Sequence, residues 1–311
     1  MNKKSVCAVL AAGLVIGGGA ARADEKVLPP VWFGTWRGDF LLLHPGPSAF
    51  AARDLGFFDA GPIAQFVAEG VYAAPLRHGV VPEPVNGLAV GTAVAVFDAD
   101  GARCEAKVTA WILAEPYDLW HGEPERADLS LFARVDGCVH PDSPSWTRDV
   151  FAVRPEDAAR VGTHVAPGAV EPGVAKRLDD ELARRTAALP PALPGGRVAE
   201  RTVFRLPGGL VVASLVTGLD GDDDERMRHV SVVALKPGAR RGMSALLDVD
   251  VSLCCRAGVP ELLGITDLDG DGRPELLRRD GGLFQLLADD GGGAGYTPVV
   301  ETVVRDDGAD C

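Results

Sequence analysis

The sequence predicts a mainly β protein with three parts. These are an N-terminal small barrel or sandwich, a proline-rich linker holding a short helix, and a C-terminal antiparallel β region shaped as an open sheet or a partial propeller. Apolar and polar residues alternate with a period of two over several short segments, which is typical of strands. The 38 glycines and 23 prolines favour many turns. Aromatic residues make up only 6% of the chain, so valine, leucine and alanine must fill most of the core.

The N-terminus has the three parts of a secretory signal. Lys3 and Lys4 precede an uncharged apolar run at residues 6–20, and residues 21–23 place alanines where a signal peptidase reads small side chains. We expect residues 1–23 to be removed as a signal peptide and the mature protein to be periplasmic or secreted. The run is short and glycine-rich, so we expect no stable membrane span after cleavage.

An N-terminal β-rich domain is predicted at residues 24–165. Residues 88–96 alternate as a strand, and residues 98–101 form a turn signal. Residues 104–112 alternate again, which predicts a hairpin. A further strand at residues 131–135 leads towards Cys138.

Five cysteines remain after signal cleavage, and an oxidising compartment favours disulfides between them. Their spacings match no zinc or iron–sulfur pattern. We predict a Cys104–Cys138 bridge that ties the third strand to the hairpin. Cys254 lies on the polar side of its strand and is expected to pair with Cys311. A pairing of Cys255 with Cys311, and a vicinal Cys254–Cys255 bridge, stay open as alternatives.

A linker is predicted at residues 166–198, where five prolines bracket a charged stretch. Apolar residues in this stretch recur near helical spacing, which indicates a short amphipathic helix. A C-terminal β domain is then predicted at residues 199–311. It begins with two strands around a Pro-Gly-Gly turn at residues 207–209, and residues 247–253 alternate strictly.

An acidic loop in this last domain has the chemistry of a calcium site. Three aspartates stand at alternate positions, so a curled backbone can aim their carboxylates at one point, and the following glycine permits a sharp turn. Hard oxygen ligands in this number suit Ca²⁺ better than Mg²⁺. The expected ligands are Asp267, Asp269, Asp271, the carbonyl oxygen of Arg273, and Glu275.

The loop does not fit an EF-hand, because Arg278 occupies the twelfth position, where that motif needs a bidentate glutamate. The flanking apolar runs are also short, as in strands. The segment ITDLDGDGRPELL at residues 265–277, with a following strand, instead resembles the calcium-binding hairpin of FG-GAP or VCBS-type repeats. The resemblance spans residues 263–287 and implies the ligand set given above. One good copy is present, since the acidic stretch at 218–225 lacks the first ligand and the turn glycine, so we expect no closed propeller.

The net charge of −13 argues against nucleic acid as a partner. The function most consistent with these features is an exported calcium-binding module, non-enzymatic, with an unknown protein or cell-surface partner. Two alternatives are an exported hydrolase with its site in the N-terminal domain and a cell-surface adhesion protein using the Arg-Gly-Asp string at residues 37–39. The histidine–acid neighbours that a hydrolase could use are His121 with Glu123 and His140 with Asp142.

Overall fold

The protein is described by a computed structural model. The described residues are 28–37, 40–46, 73–76, 81, 83–99, 101, 103–114, 130–138, 149–189, 196–220, 226–235, 244–253, 261–280, 283–289 and 295–303.

The N-terminal strands close into an antiparallel barrel, which is the first of the two predicted forms, a small barrel or a sandwich. They are β1 (Trp32–Arg37), β2 (Phe40–His44), β3 (Ala73–Pro75), β4 (Ala93–Asp98), β5 (Arg103–Ala114), β6 (Ser130–Asp136) and β7 (Asp149–Val153). Six of them form a ring in the order β5, β4, β7, β1, β2 and β6, and the pairing of β6 with β5 closes it. The short β3 pairs with the far end of β5.

Large apolar side chains fill the inside of this barrel. Trp32, Trp36 and Trp111 are buried there among leucines and valines. The indole nitrogen of Trp111 donates a hydrogen bond to Glu83 Oε1 at 2.7 Å, so this polar atom of the interior is satisfied.

One predicted strand is wrong in its first half. The sequence places a strand at residues 88–96, but β4 begins at Ala93. Asn86, Gly87 and Gly91 have φ values of 46°, 80° and 98°, which are left-handed conformations that interrupt an extended chain. Leu88 instead bridges back to Val85 and is fully buried in the barrel interior.

The described residues after β7 form two further sheets, an α-helix and two short 3-10 helices, Pro155–Arg160 and Pro167–Ala169. The strands of the first sheet are β8 (Thr163–His164), β9 (Gly196–Arg205), β10 (Val211–Asp220), β11 (Arg226–Leu235) and β12 (Ser244–Leu253). Those of the second sheet are β13 (Glu261–Thr266), β14 (Glu275–Asp280), β15 (Leu283–Asp289) and β16 (Tyr296–Val303). Both sheets are antiparallel and follow chain order, which confirms the predicted C-terminal β region.

The four-stranded sheet, called the central sheet below, is buried on both faces. Its side chains that pack against the outer surface of the barrel are Leu263, Leu277, Phe284 and Leu286. Those that pack against the five-stranded sheet are Leu262, Ile265, Leu276 and Leu287. Successive side chains of a strand point to opposite faces. One side chain therefore packs against the barrel and its neighbour packs against the five-stranded sheet in each of the apolar pairs at 262–263, 276–277 and 286–287.

The predicted short helix is α1 (Pro172–Ala188), and it covers the other face of the five-stranded sheet. Leu178 is fully buried against that sheet, so this part of the predicted linker forms a packed layer. Arg201 of β9 pairs with Asp179 of the helix. Among the described residues, no helix has the length and apolar character that a membrane span requires.

A disulfide joins Cys104 to Cys138, with a Cα–Cα distance of 5.5 Å, as the sequence predicts. It links the first part of β5 to the segment that directly follows β6, beside the pairing that closes the barrel. Cys254, Cys255 and Cys311 lie outside the described residues, so their pairing stays a prediction.

Contact between the barrel and the central sheet can be tested at Gly264, because a Cβ there would lie 2.7 Å from Cε1 of Phe151. We predict that Gly264→Ala lowers the free energy of unfolding by about 1–3 kcal/mol through overpacking. Urea denaturation measures this. The matched control is Gly168→Ala, since a Cβ there meets nothing within 4 Å. A loss of stability as large in the control as in Gly264→Ala would contradict close packing at this point.

Candidate metal centre

The acidic loop, residues 267–274, joins β13 to β14 at one end of the central sheet. Thr266 pairs with Glu275 across the base of the hairpin, so the two ends of the loop are held together by the sheet. Gly270 and Gly272 have φ values of 74° and 80°. These left-handed conformations turn the backbone sharply between the aspartates, and they are the reason for glycine at these positions.

The structure brings the three predicted aspartates together. Asp267, Asp269 and Asp271 can each offer one carboxylate oxygen, and these oxygens lie within 4.8 Å of one another. No other group of at least three potential metal ligands occurs among the described residues. Spacing by two residues therefore produces the convergence that the sequence predicts.

Backbone amides of the loop orient these carboxylates. The amide of Asp271 donates to Asp269 Oδ1 at 2.9 Å, and that of Arg273 donates to Asp271 Oδ1 at 2.7 Å. The amide of Gly272 donates to both oxygens of Asp267, at 3.3 and 3.2 Å. A carboxylate oxygen has more than one acceptor position, so an oxygen held by an amide can also bind a cation.

The two remaining predicted ligands, Arg273 and Glu275, differ in their surroundings from the three aspartates. The Arg273 side chain is exposed and donates to Asp289 Oδ2 at 2.7 Å, which leaves the backbone carbonyl as its predicted ligand group. Glu275 is 3% exposed, and its Oε2 accepts the amide hydrogen of Leu268 at 2.8 Å. The buried carboxylate of Glu275 therefore holds the backbone of the loop at Leu268, close to the aspartates.

Negative charge accumulates around the loop. The pKa of Glu275 is raised to about 7, mainly by burial and in part by the charges of Asp269 and Asp267. Burial also raises the pKa of Tyr296, with contributions from the nearby carboxylates of Asp289 and Glu275. Burial is the larger cause of both shifts, and the smaller contribution from neighbouring carboxylates is the one that a bound cation would offset.

The loop is anchored to the barrel. Leu268 is fully buried in the core between the barrel and the central sheet. Arg160 ends a 3-10 helix, Pro155–Arg160, that follows β7. Its guanidinium donates to the carbonyl of Leu268, and its own carbonyl accepts the amide hydrogen of Asp267 at 3.2 Å. The position of the acidic loop thus depends on the barrel as well as on the hairpin.

Sequence reasoning missed a polar cluster between α1 and the five-stranded sheet. Nη1 of Arg185 contacts His229 Nε2 at 3.1 Å and Asp248 Oδ1 at 3.0 Å, and it donates to Ser231. Ser231 and Asp248 are paired across β11 and β12. The residues come from three separate elements, so only the strand register could have revealed their proximity.

This cluster contains serine, histidine and aspartate, but it does not have the geometry of a hydrolytic triad. In a triad the histidine stands between the other two residues. Here Ser231 donates directly to Asp248, and Nε2 of His229 lies 3.0 Å from the serine and 3.5 Å from the aspartate. Ser231 is also 0% exposed. The contacts therefore hold the helix to the sheet.

Several other sequence predictions fall on residues outside the described part of the chain. His121, Glu123, His140 and Asp142 lie there. Arg37 ends β1, whereas residues 38 and 39 lie outside the described residues. Of the acidic stretch at 218–225, the first three residues end β10 and the others lie outside the described part of the chain.

Glu275→Gln tests the electrostatics of the metal-free loop. The folded pKa of Glu275 is raised, so the wild type should lose stability as the pH rises from about 4.5 to about 7. Glutamine keeps an acceptor for the Leu268 amide and does not titrate. In EDTA we predict that the variant is more stable than the wild type at pH 8, by up to about 3 kcal/mol, and that the difference vanishes below pH 4.5. Denaturation curves across this pH range measure it.

The control is Glu200→Gln, at an exposed position on β9. It should leave the pH dependence of stability as in the wild type. A constant difference between Glu275→Gln and wild type at every pH would show that Glu275 carries no raised pKa.

Comparison with family models, with curated proteins and with solved structures gave no match to this chain. The resemblance of residues 263–287 to FG-GAP or VCBS-type repeats therefore stays a prediction from the motif itself. Independently of that resemblance, the structure has a loop with three converging carboxylates, Asp267, Asp269 and Asp271. The loop lies at one end of a sheet that is buried on both faces.

Proposed function

We propose that the protein is an exported calcium-binding β protein that serves as a non-enzymatic binding or structural module. Ca²⁺ binds the acidic loop and acts as a structural staple. The observation that carries this proposal is the convergence of Asp267, Asp269 and Asp271 on a loop that is anchored in the core through Leu268. The partner of the module is an unknown protein or cell-surface component.

The chemistry of the loop favours calcium over other cations. All the candidate ligands are oxygens, which suits hard cations. Ca²⁺ accepts six to eight oxygen ligands in flexible geometry, whereas Mg²⁺ requires a near-ideal octahedron and retains several waters. The loop offers three carboxylates and the carbonyl of Arg273, with Glu275 close to them. This ligand set meets the flexible coordination of Ca²⁺ more readily than the strict octahedron of Mg²⁺.

Binding at this loop would stabilise the joint between the barrel and the central sheet. The three carboxylates repel one another when no cation is present. Leu268 and Arg160 connect the same loop to the barrel, and the pairing of Thr266 with Glu275 connects it to the central sheet. A cation that fixes the loop therefore restrains both layers.

Two sequence features support an exported calcium protein. The basic and apolar N-terminus, residues 1–23, has the pattern of a signal peptide. The motif at residues 265–277 resembles repeats of exported and cell-surface proteins. Calcium is abundant outside the cytoplasm, and extracellular calcium modules bind it with dissociation constants on the order of 10⁻⁴–10⁻³ M.

Differential scanning calorimetry of the mature protein tests the proposal. In 10 mM CaCl₂ we predict that the wild type melts about 3–8 °C higher than in EDTA, given an affinity in the extracellular range. Asp269→Asn keeps an acceptor for the amide of Asp271 but removes one charge, so its calcium-induced shift should be much smaller. MgCl₂ at the same concentration should give a smaller shift than CaCl₂ in the wild type.

The matched control is Asp180→Asn, the same substitution at an exposed position on α1. It should keep the full shift with calcium. Equal melting temperatures of the wild type in calcium and in EDTA would contradict the proposal.

A further inference from the structure

One short segment of the chain, residues 160–165, runs from the barrel along the central sheet and into the five-stranded sheet. It is called the strap below. Val161 bridges to Thr266 at the end of β13, and the amide of Gly162 donates to the carbonyl of Ile265 at 2.9 Å. The strap then continues as β8, the edge strand of the five-stranded sheet. It therefore connects all three layers within six residues.

Close packing fixes the strap in this position. Val161 is 5% exposed and belongs, with Ala158 of the preceding 3-10 helix, to the core between the barrel and the central sheet. A Cβ at Gly162 would lie 2.5 Å from Cγ1 of Ile265, so glycine is what allows this close approach. The strap cannot move away from β13 without loss of these contacts.

Arg160 begins the strap and contacts three successive residues at the start of the acidic loop. Its carbonyl accepts the amide hydrogen of Asp267 at 3.2 Å and a hydrogen bond from the hydroxyl of Thr266 at 3.4 Å. Its guanidinium donates to the carbonyl of Leu268. The backbone that carries Asp267 and leads into Asp269 is therefore held by one residue of the strap.

Asp157 orients the guanidinium of Arg160. Nη1 of the arginine lies 3.6 Å from Oδ1 of Asp157, whose side chain is 10% exposed. The amide of Asp157 donates to the carbonyl of Arg154 at 3.0 Å, which holds the aspartate in the 3-10 helix. An arginine that is already restrained in one orientation loses less side-chain entropy when it binds the loop.

The charge of Arg160 and its hydrogen bond to the loop have opposite effects on cation binding. A guanidinium near the three aspartates partly cancels their negative charge, so by Coulomb's law alone it weakens the binding of Ca²⁺. A guanidinium that holds the loop backbone strengthens binding, because the ligands are in place before the cation arrives. Removal of the side chain shows which effect is larger.

We propose that Arg160 is a positioning residue for the calcium site, and that the strap couples this site to the barrel and to the five-stranded sheet. The positioning effect is the larger one, because the Arg160 side chain is 47% exposed and water screens its charge. Its hydrogen bond acts directly on the backbone between Asp267 and Asp269. The inference rests on the proposed function for the identity of the cation. Coupling is reciprocal, so bound calcium in turn stabilises the strap.

Hydrogen exchange of the mature protein in EDTA tests the positioning without any metal. Arg160→Met keeps an apolar stem and cannot donate to Leu268. We expect the amides of residues 271–273, which are bound by carboxylates of the loop, to exchange about fivefold faster in this variant. The matched control is Arg184→Met on α1, which also removes one charge and one ion pair, with Glu181, and should keep wild-type exchange. Equal exchange in Arg160→Met and the wild type would contradict the positioning role.

Calorimetric titration of the same proteins with CaCl₂ separates positioning from charge. We expect Arg160→Met to bind Ca²⁺ about fivefold more weakly than the wild type, although a positive charge has been removed. Arg160→Lys should recover part of the affinity, since an ammonium group can donate to a carbonyl, and Arg184→Met should bind as the wild type does. Equal or tighter binding by Arg160→Met would overturn the inference and leave the proposed function standing. Absence of binding by the wild type would overturn the proposed function, and the calcium part of this inference with it.

Exchange within the strap tests the coupling in the wild type itself. The amide of Gly162 is bound by β13, and that of Val165 donates to the carbonyl of Val203 on β9 at 2.8 Å. We expect saturating calcium to slow the exchange of both amides by about fivefold relative to EDTA. The slowing should be much smaller in Arg160→Met, because Arg160 joins the strap to the loop. Unchanged exchange of both amides in a wild type that binds calcium would overturn the coupling.

Discussion

The four strands of the central sheet carry apolar side chains on both faces, so the sheet is stable only while two other layers cover it. The barrel covers one face, and the five-stranded sheet with α1 behind it covers the other. Gly264 allows the ring of Phe151 to approach the backbone of β13 closely. The order of the layers follows from this double burial, because neither neighbour could be removed without exposing a row of leucines.

The polar features on which the proposed function depends lie where these layers meet. The acidic loop leaves the central sheet at the end where Arg160 and Leu268 join it to the barrel. His44 joins the same two layers through Thr302. Cation binding at the loop would strengthen the joint, which otherwise depends on apolar packing.

The local parts of this architecture could be predicted from the sequence, and the non-local parts could not. Alternation indicated the strands, helical spacing indicated α1, and spacing by two indicated the convergence of the aspartates. The first half of the strand predicted at 88–96 was wrong because the turn at Asn86 and Gly87, which brings Leu88 back to Val85, is not visible in a hydropathy pattern. The closure of the barrel and the contact of His44 with Thr302 depend on pairings between residues far apart in the chain. The leucine pairs are compatible with double burial, but they do not show which layers provide it.

Hydrogen exchange of the wild type with calcium and with EDTA tests the central claim most directly. We predict that calcium slows exchange in the acidic loop and also in the 3-10 helix Pro155–Arg160, because Arg160 and the loop hold each other. The β13 and β14 amides should be among the slowest in the protein in both conditions. Slowing confined to the loop, with the 3-10 helix unchanged, would contradict a calcium staple between the barrel and the central sheet.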